Sequence, residues 1–276
     1  MAFILILWCK NVEKILFLNN RANPMKKNIL TTIILSLTIV YPAFSSSQGH
    51  GDIHGHDHKN DKESKIITDD NVYLTNLNLM KGHLWVGIQL YKASLKDNAK
   101  MHMKHPKSEL YGDMIPTFES KGAPGFAFEL ETLASSVESE ESLQTVNLNY
   151  KNLFKAINKN EKFVDETSVS MHKKVELVIS LLRIAAAEYA VGIIDGKVEN
   201  KYEYQDAFGF TNMAKNIIEK VNTEDVTEKK RLSKIIEAID TLSPLWPELA
   251  PNLNVDGDAI TILNAIEEIK KYSPVR

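Results

Sequence analysis

Three groups of residues in this chain are of types and spacings that can hold a metal ion. The densest is His50-Gly51-Asp52-Ile53-His54-Gly55-His56-Asp57-His58, which places four imidazoles (His50, His54, His56 and His58) and two carboxylates within nine residues. Alternating His-x-His lets a flexible chain wrap a divalent ion without folding first, and imidazole discriminates poorly among zinc, copper and nickel. Such a run makes a capture arm rather than a catalytic site, and its rival reading is a solvated tail.

The second group is spread over two segments. His83 lies one helical turn from Met80 and from Gly87, on an apolar face. Gly82 and Gly87 strip bulk from that region, and glycine inside a helix costs up to about 1 kcal/mol relative to alanine, so their closeness predicts close approach by another helix or a ligand. Met101-His102-Met103-Lys104-His105-Pro106-Lys107-Ser108-Glu109 adds two imidazoles and a carboxylate. His105 and Glu109 are four apart and share a face if His105 caps a helix that starts at Pro106. The Met-His-Met triplet also raises copper, since thioether sulfur prefers the cuprous ion. The rival readings are a core histidine at 83 and an exposed loop residue at 102.

The third group centres on Glu188, within Ala185-Ala186-Ala187-Glu188-Tyr189-Ala190-Val191. An unpaired charge in so apolar a helix costs several kcal/mol, of the order of the penalty for burying one ion. Glu203 and Asp206 are the acidic neighbours expected across the turn at Gly196, and Arg183 or Tyr204 are the partners that would need no ion. If two or three carboxylates meet, a cation relieves their repulsion most directly. The metal-site expectation is therefore His83, His105, Glu109, Glu188 and Glu203, with His102 and Asp206 in reserve, in one site or two.

The elements that must position these residues read as helices throughout. Val72 to Leu95 repeats Leu77, Met80, Leu84, Ile88 and Tyr91 at spacings of three and four, the signature of one apolar helix face. A second helix is expected from His105-Pro106 to about Ser120, a third over Phe126 to Val137, and a fourth over Leu143 to Asn160. Met171 to Ile194 is apolar nearly all round and predicts a central helix, stopped by Asp195-Gly196-Lys197 through a left-handed residue. Lys201 to Val221, Glu228 to Leu242 and Asp258 to Tyr272 follow, the last two separated by a Pro-rich loop, Ser243 to Pro251. The pattern contains no strand alternation. The fold class expected is all-α, a helical bundle of two packed subdomains, 71–165 and 166–276.

Ahead of the helices, Met25-Lys26-Lys27-Asn28 and the apolar run Ile29 to Val40 precede Tyr41-Pro42-Ala43-Phe44-Ser45. A basic start, a run short of the roughly 20 residues that span a bilayer, and small residues at the end predict a signal peptide over 25–45 cleaved after Ser45. Residues 1–24 then read as an N-terminal extension from an upstream start codon, and 46–70 as a disordered His-rich arm. Cleavage removes Cys9, the one cysteine. It also removes five basic residues and one acid, so 33 Lys+Arg and 36 Asp+Glu become 28 and 35 and the net charge moves from −3 to −7. So acidic a chain argues against nucleic acid as a partner, because phosphate contacts need clustered Lys and Arg. Periplasmic localisation follows, with no integral membrane segment after cleavage.

The stretch Leu182 to Val198, containing Glu188-Tyr189 and Asp195-Gly196-Lys197-Val198, followed by Tyr202-Glu203-Tyr204-Gln205-Asp206, resembles the soluble exported region joined to bacterial iron permeases. An acidic residue and Tyr, an apolar spacer, Asp-Gly-Lys-Val and a following Glu-Tyr recur there in a helical hairpin. The multi-helix membrane portion of the permeases and its intramembrane Glu motif have no counterpart in this sequence, so the resemblance implies an accessory role beside a membrane metal transporter. The first half, with Gly82-His83-Leu84 and His105-Pro106, resembles other exported bacterial proteins and implies nothing further. Together these readings predict a non-enzymatic periplasmic metal-binding protein, with iron favoured and zinc or copper as alternatives. The competing expectation is an envelope structural or interaction domain that docks through Trp246. A ferritin-like oxidase would need two Glu-x-x-His motifs, and the sequence has none.

Overall fold

A computed structural model describes residues 65–251 and 254–273. The expected extension, signal peptide and almost all of the His-rich arm, with His50, His54, His56 and His58, lie outside the described residues. The last few arm residues are ordered, because the Ile67 amide donates to Thr117 Oγ1 at 2.9 Å. The described residues belong to one compact unit.

The protein is all-α. Helix α1 (Asp70–Lys92) begins at Asp69, whose carboxylate accepts from the Asn71 and Val72 amides. It is buried on almost every side from Tyr73 to Gly87. This was not legible from its polar members, Asn76, Asn78 and Lys81. Each is satisfied inside the core: Asn76 donates to the Val72 carbonyl, Asn78 to Leu74 O and Glu161, and Lys81 to Glu161 at 2.6 Å. Helix α2 (Lys96–His105) runs without a break through a π-helical segment, Pro106–Tyr111, into α3 (Gly112–Lys121). The predicted start at Pro106 is thus corrected. Proline lacks an amide hydrogen and its ring crowds the carbonyl four residues back, and the wider π turn accommodates it inside the helix.

Helices α4 (Ala127–Glu138) and α5 (Leu143–Asn160) form a hairpin that packs on α1 and α2. The second half comprises α6 (Met171–Gly192), α7 (Lys201–Glu219), α8 (Val226–Asp240) and α9 (Ala259–Lys271). Between α6 and α7 the predicted helix stop at Asp195-Gly196 is instead a hairpin turn. Helix α6 ends at Gly192, and two short strands, β1 (Ile193–Ile194) and β2 (Lys197–Val198), pair antiparallel with Ile194 opposite Lys197. Asp195 (φ 50°) and Gly196 (φ 73°) are both left-handed, as a two-residue loop with strand-matched twist requires.

Two glycine contacts set the helix spacing around the site. A Cβ on Gly82 would lie 2.6 Å from Phe210 Cδ1, and one on Gly209 would lie 2.5 Å from the Gly82 carbonyl oxygen, so α1 and α7 cross backbone to backbone. A Cβ on Gly87 would lie 2.7 Å from Met103 Cε and 3.4 Å from His102 Cβ, so α2 sits equally close. The close approach expected at Gly82 and Gly87 is by helices. No helix among the described residues is long and apolar enough to cross a membrane.

Candidate metal centre

The backbone crossing of α1 and α7 places residue 83 beside residue 206, and the α1–α2 contact at Gly87 brings in residues 102 and 105. His83 Nδ1 lies 2.5 Å from Asp206 Oδ1 and His102 Nδ1 lies 2.9 Å from the same oxygen. His105 Nδ1 lies 3.6 Å from Asp206 Oδ2. Side-chain exposure is 0% for His102, 3% for Asp206, 7% for His83 and 16% for His105, so the cluster is open only on the His105 side. The rings of His83 and His105 meet edge to face at 5.4 Å, and Phe210 closes the far side of His83 at 5.0 Å.

Burial would push the Asp206 carboxyl up, but the imidazoles of His83 and His102, the bond from His102 and the nearby His105 hold it well below the usual carboxylate range. For His105, burial acts downward and the Asp206 carboxylate, helped by Glu109 and Glu203, overcomes it and raises the imidazole above its ordinary value.

Three imidazole nitrogens and one carboxylate oxygen, all within 4.8 Å of one another, form a donor set that zinc, iron, copper and nickel accept. The nitrogen atoms also fit an ion better than a purely hydrogen-bonded core. All three Nδ1 atoms converge on one carboxylate, and His105 Nδ1 is buried with no hydrogen-bond partner. Buried polar atoms in folded proteins are almost always bonded, so an orphan aimed at a carboxylate marks a place for a cation.

The reserve residues, His102 and Asp206, are the centre of this cluster, with His83 and His105 beside them. Glu188 and Glu203 lie close enough to each other, and to Asp206, for their charges to interact. Burial and the carboxyls of Glu203, Asp206 and Glu109 raise Glu188 well above the ordinary value. Burial and Asp206 raise Glu203, against the lowering effects of Glu188, His105 and His83. The partners proposed for Glu188 that need no ion are elsewhere: Arg183 is exposed and the Tyr204 hydroxyl donates to the Glu248 carbonyl at 2.8 Å. Glu109 is exposed within the π segment and reaches Glu188 and His105 only through space, and His105 is the last residue of α2 rather than a cap. Of the two thioethers, Met101 is partly exposed and Met103 is buried against Gly87.

The signal that would have promoted His102 was present. Starting the helix at Lys96 puts Ala99, His102, Met103 and Pro106 on one face at helical spacing, and Tyr202, Asp206, Gly209, Phe210 and Met213 form the matching stripe on α7.

Residues 165–273 match the family model of the iron permease-associated 4-helix bundle domain. The matched stretch contains α6 to α9, and the hairpin in which the resemblance was seen lies inside it. Asp206, Glu188 and Glu203 therefore lie within the matched stretch, while His83, His102 and His105 precede it. No curated protein and no solved structure is significantly similar to the chain.

Trp246, the docking residue of the competing reading, is buried. It stacks on Phe208 at 5.4 Å, meets Tyr189 edge to face, and its indole N–H donates to the Tyr204 carbonyl at 3.1 Å. The Pro-rich loop is thereby fastened onto α7, which removes the feature that favoured an interaction surface there.

Proposed function

We propose that this protein is a periplasmic metal-binding accessory protein that acquires or delivers iron beside a membrane metal transporter, a binding role rather than an enzymatic one. The observation that carries the reading is the convergence of His83, His102 and His105 on the buried carboxylate of Asp206. The donor set accepts both ions, and iron is favoured over zinc because Asp206, on which the three imidazoles converge, lies in the stretch that matches the iron permease-associated domain. Residues 25–45 direct export, and the His-rich arm ahead of the bundle collects ions that the buried centre then holds.

Elemental analysis of the purified protein tests this, with and without residues 46–64 and with His102→Ala. Stoichiometric iron retained by the arm deletion and lost in His102→Ala is the expected result. Loss of all metal on deleting the arm alone would overturn the buried centre, and zinc in place of iron in protein from iron-replete cells would overturn the choice of ion.

A further inference from the structure

We infer that Gln205 is a positioning residue which fixes the nitrogen through which His102 meets the metal, an inference that rests on the metal-binding reading of the site. Gln205 is fully buried, and its amide nitrogen donates to the Leu249 carbonyl at 3.0 Å. A carbonyl can only accept, so the orientation of this amide is set and its oxygen is the end that faces His102. That oxygen lies 2.8 Å from His102 Nε2. An amide oxygen also only accepts, so Nε2 must carry the hydrogen. Neutral His102 then has its lone pair on Nδ1, 2.9 Å from Asp206 Oδ1. Two acceptors at that separation need a proton or a cation between them. With both side chains sealed from solvent, Gln205 leaves Nδ1 as the only nitrogen of His102 able to take an ion. Flipping the ring would set carbon against both Gln205 and Asp206, so the orientation is fixed from two sides.

The Pro-rich loop gains a purpose from this. Leu249 is held in place because the neighbouring Glu248 carbonyl accepts from the Tyr204 hydroxyl and Trp246 is bonded to the Tyr204 carbonyl. A chain of fixed contacts therefore runs from the loop through Gln205 to the ligand atom. Outer partners of this kind orient ligating histidines generally, and losing one typically weakens metal binding by about 10–100-fold.

The test uses the full chain lacking only residues 46–64, with Zn²⁺ as a diamagnetic probe for nuclear magnetic resonance and Fe²⁺ for affinity. Two-bond ¹H–¹⁵N correlation spectra of the histidines, with His102 assigned by its loss in His102→Gln, are expected to show hydrogen on Nε2 and Zn²⁺ on Nδ1. Gln205→Leu should lower affinity for both ions by about 10–100-fold, and Gln205→Glu, which keeps the acceptor for His102 Nε2 but not the donor to Leu249, should lose less than Gln205→Leu. Zn²⁺ bound through Nε2 of His102, or parental affinity in a folded Gln205→Leu, would overturn the role of Gln205 while leaving the metal centre standing. Should Gln205→Leu fail to fold, the spectra of the parent decide alone. Absence of any Fe²⁺ or Zn²⁺ binding by the parent would instead overturn the metal reading, and this inference with it.

Discussion

Replacing Asp206 by Asn removes one charge from the middle of the cluster and little volume, which makes it the sharpest probe of how the cluster is held. In the parent the carboxylate faces three imidazole nitrogens, two of them on one oxygen at 2.5 and 2.9 Å. Breaking a buried ionic contact by removing one partner costs about 3–5 kcal/mol. Asn keeps an oxygen that can accept, so the lower figure, about 3 kcal/mol, is expected. For a domain of this size each kcal/mol moves the melting temperature by about 2–4 °C, giving a fall of about 6–12 °C in metal-free protein. A second difference appears on adding Fe²⁺ or Zn²⁺. An ion at 100 times its dissociation constant stabilises the folded state by about 2.7 kcal/mol, or about 5–11 °C, and Asp206→Asn should lose most of that gain. Differential scanning calorimetry with and without metal, on protein lacking residues 46–64, reads both quantities. A variant that melts within 2 °C of the parent and gains as much from the ion would refute the assignment of Asp206 as the hub.

Three further outcomes follow from the same geometry. Asp70 is raised by partial burial but held below its ordinary value by Lys121, the Asp165 amide and Ser168. Its contribution is therefore present above the unfolded carboxylate value of about 3.9 and fades as pH falls through the folded one; Asp70→Asn should lower the melting temperature by about 2–4 °C at pH 7 and leave it unchanged at pH 2. Glu188 has the opposite sign: its carboxyl is raised, so it opposes folding as pH climbs past its unfolded value, and Glu188→Gln should raise the metal-free melting temperature by about 2–4 °C at pH 8 and by nothing at pH 4. Gly209→Ala drives a methyl to 2.5 Å from the Gly82 carbonyl oxygen, so it should cost about 1–3 kcal/mol by thermal melting and, by prising α7 from α1, weaken metal binding in the same sample.

Helix existence was legible because the apolar residues recur at 3.6-residue spacing, and seven of the expected segments lie within a few residues of the observed ones. The boundaries that differ are governed by proline and glycine used outside their common roles. Pro106 sits in a π turn rather than at a first turn, and Asp195-Gly196 turns a hairpin rather than closing a helix. At the site, residue types pointed to the right elements but not to the right members. His102 stands only in reserve, with a loop as its rival reading, because the expected helix begins nine residues late, whereas Glu109 is favoured on a regular four-residue spacing that the π segment does not keep. The meeting of α1 with α7 depends on Gly82 and Gly209, 127 positions apart, and nothing local to either glycine names the other.

The contacts that make the cluster span 104 and 123 residues of chain. With a single cysteine the chain can form no internal disulfide. An ion coordinated by His83, His102 and Asp206 would tie the same distant points together, acting as a removable cross-link. In the chain-entropy account, a bond closing a loop of about 100 residues disfavours the unfolded state by about 4.7 kcal/mol. Metal binding and durability would then be linked: a chain holding an ion would resist unfolding and proteolysis more than one without it.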